Sequence, residues 1–435
     1  HRDLHSFPTR RSSDLGFFIG WLIWIGNMLF IALSSLSFAI SFAIFFPNTI
    51  FNSPFIVVVA ISILLLIFFL NSQKPLTLDR LMRFFVVFLV FAFLLYILIG
   101  IGFGKNNTAG TFSATNLNQP FEFLSIINAM AFTIVIFCLY EWNSAYESMT
   151  ALYDSIKRPR ITIPRIFIFS IMCAVIIYWL VALTTLLNAG PRGSPTWNQI
   201  INSNTPLSET LNLIMGPVGF YFMGLAAMIA TITSINAGIQ MSTHVLYSMG
   251  RDKMMPPIVL RQKGSVQYIA LTISCVISIV LIIPNDINLI TQLCNFIFLL
   301  SMIVLASSLM ILRKTRPKLN RPWKCPGYPT LPIITLLITV GLLFSIQDYA
   351  AVVGFLIAVG GIIYYFFRIT DRKRVYLVFA GTKIGSILLL LIFLFGIQFK
   401  ADIDVSRWEF LENFTPLFIP IIILAIILIG FSGLL

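Results

Sequence analysis

Apolar residues come in long blocks from residue 16 to the C-terminus. "GFFIGWLIWIGNMLFIALSSLSFAISFAIFF" is followed by "PFIVVVAISILLLIFFL" and then by "MRFFVVFLVFAFLLYILIGIG", with short polar breaks between them. About 20 apolar residues suffice for a helix to cross the hydrocarbon layer. The pattern predicts twelve such spans, A to L, at roughly 16–46, 54–70, 82–102, 125–151, 165–188, 214–249, 267–284, 288–312, 330–346, 349–367, 376–397 and 414–434. Segments A, D and F exceed the needed length, so they tilt, extend into water or are interrupted. The fold class is an all-α polytopic membrane protein.

Composition agrees. The 435 residues are 58% hydrophobic and only 10% charged, which excludes an ordinary soluble domain. Residues 1–15, "HRDLHSFPTRRSSDL", are polar and basic and break off abruptly at Gly16. They have no apolar core of their own and so are not a signal peptide. They read as a translated sequencing-adapter artefact rather than native sequence, the plain alternative being a cytoplasmic tail.

The formal charge of +13 raises the question of a nucleic-acid partner, and the placement of the charges answers it. Lysines and arginines crowd every second loop: Lys74 to Arg83, Lys157 to Arg165, Arg251 to Lys263, Arg313 to Lys324 and Arg368 to Arg374. The alternate loops hold only Lys105, Arg192, Lys400 and Arg407. This is the positive-inside pattern. It places the start of segment A and the C-terminus in the cytoplasm of a multi-pass cell-membrane protein, with the bilayer and not a nucleic acid as the partner.

An enzyme needs nucleophiles, bases or metal ligands in a cluster. Apart from His1 and His5 in the leader there is only His244, and the five cysteines are scattered with no Cys-x-x-Cys pair. No catalytic set and no metal site is expected, and no cofactor. The exception to the apolar interior is "FCLYEWNSAYESM" in segment D, where Glu141 and Glu147 sit at bilayer depth. A charge there costs about 2.5–3.5 kcal/mol on insertion scales, so such residues usually face a cavity or a partner. Asn143 and the neighbouring serines compete for backbone hydrogen bonds, which suits a broken helix lining a cavity. The plain alternative is a helix that ends near residue 141.

Three stretches resemble the amino acid–polyamine–organocation permeases. "AYESMTALYDSIKRPRITIPR" is similar to that family's sixth-helix signature, matching at Glu147, Ser148, Leu152, Lys157, Pro159, Arg160 and Thr162 to Arg165. "SINAGIQMSTHVLYSMGRDKMMP" resembles its eighth-helix signature through Asn236, Ala237, Leu246, Tyr247, Met249, Arg251, Asp252 and Pro256. "RPWKCPGYP", Arg321 to Pro329, resembles the loop before its eleventh helix. "WLIWIGNMLFIA" is similar to the third helix of the arginine/agmatine antiporters, and fourteen helices are also known in cationic amino acid transporter branches.

The resemblance implies a LeuT-like inverted-repeat fold lacking the first two helices, with segments A to H as family helices three to ten. Residues 16–312 would form the transporter core, 313–329 a basic cytoplasmic loop, and 330–435 the peripheral helices, a scaffold or homodimer surface. The glycine-broken first helix is absent, which reads as a truncated gene.

The implied activity is secondary transport of amino acids or related amines by alternating access. The alternative is an amino-acid sensor on the same scaffold without transport. Implied substrate contacts are Asn27, Glu141, Trp142, Asn143, Ala145 (where the family breaks its helix at glycine), Tyr146 and Gly238, which stands where a bulky aromatic often sits. Asn27 with Glu141 tilts the substrate toward cationic amino acids. Glu141 equally fits a proton carrier or a structural ion pair, and Asn27 an interhelical hydrogen bond. Trp142 and Tyr146 wall the site or anchor at an interface. Glu147, His244, Thr233 and Ser234 are the candidates for proton or sodium coupling, with the coupling ion open; His244 also fits an interfacial residue.

Overall fold

The computed structural model describes residues 10–46, 53–73, 75–103, 159–190, 194–203, 205–262, 266–315, 317, 327–343, 346 and 348–370. Segments D, K and L, and with them Glu141, Trp142, Asn143, Ala145, Tyr146 and Glu147, lie outside the described residues.

Among the described residues every regular element is a helix. In chain order these are α1 (Arg10–Ala43), α2 (Ser53–Gln73), α3 (Pro75–Gly102), α4 (Pro159–Ala189), α5 (Pro195–Ile201), α6 (Pro206–Met215), α7 (Pro217–Arg251), a 3-10 turn (Pro257–Leu260), α8 (Tyr268–Ile282), α9 (Ile287–Thr315), α10 (Thr330–Leu343) and α11 (Asp348–Thr370). Six are long and apolar enough to cross a membrane: α1, α2, α3, α4, α7 and α9; α8, α10 and α11 contain shorter apolar stretches.

Segments A and F are not interrupted. They form continuous helices of 34 and 35 residues. At 1.5 Å per residue each is about 50 Å long, well beyond the roughly 30 Å of hydrocarbon. The length is therefore taken up by tilt or by ends in the headgroup region.

Two short helices, α5 and α6, occupy what the hydropathy pattern reads as a plain loop. Each starts on a proline, whose missing N–H costs nothing in the first turn of a helix. The Ser194 hydroxyl accepts the Trp197 N–H and caps α5. Gly216 separates α6 from α7 at φ 68°, a conformation a side chain resists, and Pro217 restarts the helix.

The distribution of side chains is inverted relative to a water-soluble protein. On α3, Phe84, Val87, Phe91, Leu94, Leu98 and Ile101 recur every three or four positions and are all exposed, so one whole face is bare and apolar. On α4, Phe169, Met172, Ile176 and Trp179 do the same. Inside, the helix contacts hold buried Ser35, Asn71, Asn236, Ser278 and Asn295. An apolar exterior over a partly polar interior suits lipid, and the chain is a multi-pass membrane protein. Lipid tails are as apolar as leucine, so association rests on close packing and on interhelical hydrogen bonds.

Close packing centres on α1. Its residues join those of α2, α7, α8, α9, α10 and α11 in the two largest clusters of buried side chains. Three glycines fix its register against α7. A Cβ built on Gly20 would lie 3.2 Å from Met249, one on Gly238 would lie 2.7 Å from Ile31 Cγ1, and one on Gly224 would lie 3.3 Å from Ile44. From residue 20 through 31 to 44 the partner falls from 249 through 238 to 224, a nearly matching step each time, so the two helices are antiparallel over most of their length.

Candidate functional site

The middle of α1 carries its one carboxamide, Asn27, which is completely buried. Its Nδ2 donates to the Ile23 carbonyl one turn earlier, at 2.7 Å. Its Oδ1 has no hydrogen-bond partner. Among the described residues its bond is to its own helix. Leaving a buried acceptor unmet costs about 1–3 kcal/mol, and a group kept at that cost is a place where a donor belongs.

Packing around Asn27 is tight and specific. On the α8 side, Trp24 Nε1 donates to Ser274 Oγ at 3.1 Å, and Ser278 Oγ lies 3.4 Å from the Met28 carbonyl. On the α9 side, Cys294 Sγ lies 3.9 Å from the Gly26 carbonyl. A Cβ on Gly26 would sit 3.4 Å from Ile297, an ordinary contact. Toward the start of α1, Phe17 and Trp21 stack on Tyr364 of α11 with ring centroids 6.1 and 5.9 Å away, and Trp21 Nε1 donates to the Ile357 carbonyl at 3.1 Å. The stretch of α1 around Asn27 is thus framed by α8 and α9, and by α7 through the Ile31–Gly238 contact one turn on.

Gly238 is one helical turn beyond Asn27 on the facing helix. The space its missing side chain would fill is taken by Ile31 and Phe30 of α1. Here the glycine lets two helices touch. Thr233 and Ser234 both donate to the same carbonyl, that of Ala230, at 2.7 and 3.0 Å. The register brings the buried Ser34 and Ser35 of α1 to their level. Hydroxyls bonded in this way still offer lone pairs to a cation. His244 is exposed on α7, about 16 Å along the helix from Thr233.

Other buried polar residues are not among the site candidates that the sequence offers. Asn236 of the eighth-helix-like stretch accepts from Asn71 Nδ2 of α2 at 2.8 Å and from Gln240 Nε2 at 3.3 Å. That explains the residue physically as a bolt between α2 and α7. Asn188 Nδ2 ties α4 to the Gly100 carbonyl at the end of α3 at 3.0 Å. Tyr96, fully buried, shares a 2.7 Å hydrogen bond with Thr185. Asn295 on α9 is buried, and like Asn27 its Oδ1 has no partner. In the sequence each is a polar residue inside an apolar run, as Asn295 is in "LCNFIFLL", a pattern that marks burial but not the partner. Cys275 and Cys294 are buried free thiols packed as small hydrophobes, as their apolar surroundings predict.

Comparison with known proteins covers most of this chain. The family described as "Amino acid permease" matches residues 9–368. The chain is 23% identical over 370 residues to the branched-chain amino acid permease BcaP of Bacillus subtilis (strain 168), covering 82% of this chain and 72% of that protein. It is 22% identical over 323 residues to the methylthioribose transporter of the same strain, covering 74% of this chain and 65% of that protein. It is also 22% identical over 115 residues to the inner membrane transport protein YbaT of Escherichia coli (strain K12), covering 26% of each.

Proposed function

The chain belongs to the amino acid permease family, and from that premise we propose that it carries amino acids or related amines across the cell membrane by alternating access. It is a transporter, not an enzyme. The buried, donor-free Oδ1 of Asn27 is the observation that carries the substrate reading, because an acceptor at the centre of the helix frame suits an ammonium or guanidinium group. We accordingly propose a preference for cationic substrates. Glu141 would add the compensating charge, with Trp142, Asn143, Ala145 and Tyr146 beside it, and Glu147, Thr233, Ser234 or His244 would serve the coupling ion.

The antiparallel pairing of α1 with α7 supports a LeuT-like inverted repeat. These two helices would be the third members of the two repeats, and an inverted relation requires them to run in opposite directions. Twelve spans, a cytoplasmic C-terminus and a homodimer through α10 and α11 complete the proposal.

A second reading is favoured by the BcaP relative, whose printed name specifies branched-chain amino acids. Uptake by the full-length chain in proteoliposomes separates the two. Labelled arginine and lysine should enter and should outcompete leucine, isoleucine and valine. Uptake of the branched-chain set with no effect of arginine or lysine would move the assignment to the second reading. Glu141→Gln would then leave selectivity unchanged.

A further inference from the structure

Among the described residues four buried carboxamide oxygens lack a hydrogen-bond partner: those of Asn27, Asn188, Gln267 and Asn295. Two have evident structural settings. Asn188 uses its Nδ2 to join the ends of α3 and α4, and Gln267 is the residue immediately before α8. The other two lie well inside the spans of α1 and α9 and at one level, whereas Asn188 is next to the last residue of the α4 span. Cys294, which precedes Asn295, touches the carbonyl of Gly26, which precedes Asn27. Asn295 is 1% exposed and Asn27 0%, so neither oxygen reaches solvent.

An unmet acceptor in an apolar span is expensive, because no water competes for it. Two of them, one residue away from the same helix–helix contact, make a pair of acceptors with a shared need for N–H donors. Around the contact, Trp24 is spent on Ser274, Ser278 of α8 on its own helix and on Met28, and Ile297 packs on Gly26, while Gln292, the carboxamide one turn before Asn295, makes no bond to its Oδ1. Among the described residues, then, neither oxygen has a donor.

We propose that Asn295 is a specificity-determining residue which, with Asn27, takes the side-chain end of a substrate bearing N–H donors: an ammonium, a guanidinium or a carboxamide. The assignment rests on the transporter reading above and deepens it. Asn295 supplies a neutral acceptor, so it selects for donors and not for charge as such. A site built to bond an N–H discriminates strongly against an apolar side chain of the same size, which would leave both oxygens unpaired.

The test uses the full chain, with binding read as ligand-induced thermal shift of the purified protein and transport read as uptake into liposomes. The probes are lysine, arginine, glutamine and leucine, against the unaltered chain and Asn295→Leu. The expected result is a loss of about tenfold or more in apparent affinity for the three donor-bearing ligands, with leucine unchanged or improved. Equal shifts for all four ligands, or none, would overturn the assignment. Lysine and arginine weakened with glutamine untouched would overturn the neutral-acceptor claim. If Asn295→Leu does not accumulate, Asn295→Ser decides by the same comparison, since its shorter side chain withdraws the acceptor while staying polar. Binding that follows the expected pattern without uptake would sink the transporter reading and leave the role of Asn295 standing. Uptake with the wrong binding pattern would do the reverse.

Discussion

α1 and α4 look alike in sequence and behave oppositely in the fold. Both are long apolar helices, yet 61% of the most apolar stretch is buried in α1 and 11% in α4. The difference lies in what interrupts the apolar run. α1 carries Gly20, Gly26, Asn27, Ser34 and Ser35, small or polar residues through which neighbours approach. Through most of its length α4 presents branched and aromatic residues to lipid, keeping Thr184, Thr185 and Asn188 near its end for contact with α3. Hydropathy finds a span; the small and polar exceptions say which span is at the centre.

The largest effect should come from putting a charge on the bare face of α4. Ile176 is 55% exposed in mid-span. Ile176→Asp should cost about 2.5–3.5 kcal/mol of insertion free energy. A glycosylation-reporter insertion assay measures it. If the cost is near zero, the exposed face of α4 is covered by protein and the contrast with α1 is wrong.

A smaller effect, on the central helix, comes from steric overfilling. Gly238→Leu drives a branched side chain into Ile31 and Phe30 and should destabilise the fold by about 1–3 kcal/mol, seen as a lower unfolding temperature in detergent. Ile31→Ala should recover part of the loss. The double-mutant coupling tests whether these two residues really touch.

Next comes the bolt between α2 and α7. Asn71→Leu removes its bond to Asn236 and leaves that residue to Gln240 alone. About 0.6 kcal/mol, at most near 1.7, is expected for an interhelical hydrogen bond within a membrane. The reciprocal Asn236→Leu should cost a similar amount, and the two losses should not add.

Much of this architecture is visible in the sequence. Segments A, B, C, E, F, G, H, I and J correspond to α1, α2, α3, α4, α7, α8, α9, α10 and α11. Boundaries drift because a helix continues past the apolar run that reveals it; α4 begins at Pro159, in the basic stretch ahead of segment E. The helices α5 and α6 were missed because at 7 and 10 residues they are too short for a hydropathy signal, although Ser194-Pro195 and Pro206 mark their starts. Asn27 stands out in the sequence because its neighbours resemble a known helix. Asn295 was not, because a lone asparagine in an apolar run looks the same whether it is bonded or waiting for a donor. Only the placement of neighbouring helices tells those cases apart.

The smallest effect on stability should belong to Asn27 itself, and that is what makes it informative. Asn27→Leu removes one hydrogen bond within α1 and, with it, a buried acceptor that has no partner. Replacing an unsatisfied polar group by an apolar one of similar shape is nearly neutral or stabilising, so the unfolding midpoint in detergent should stay within about 0.5 kcal/mol of the unaltered chain or rise slightly. Ile176→Asp should fail to insert, and Gly238→Leu should insert and melt early. Asn27→Leu should insert and melt normally while losing its discrimination between lysine and leucine. A clear drop in stability would mean that the oxygen is bonded in the native protein, and the central helix would then be polar for the sake of its own packing. A normal melt with altered selectivity would mean that the fold has no use for Asn27, leaving substrate recognition as the reason a carboxamide occupies the most deeply buried helix.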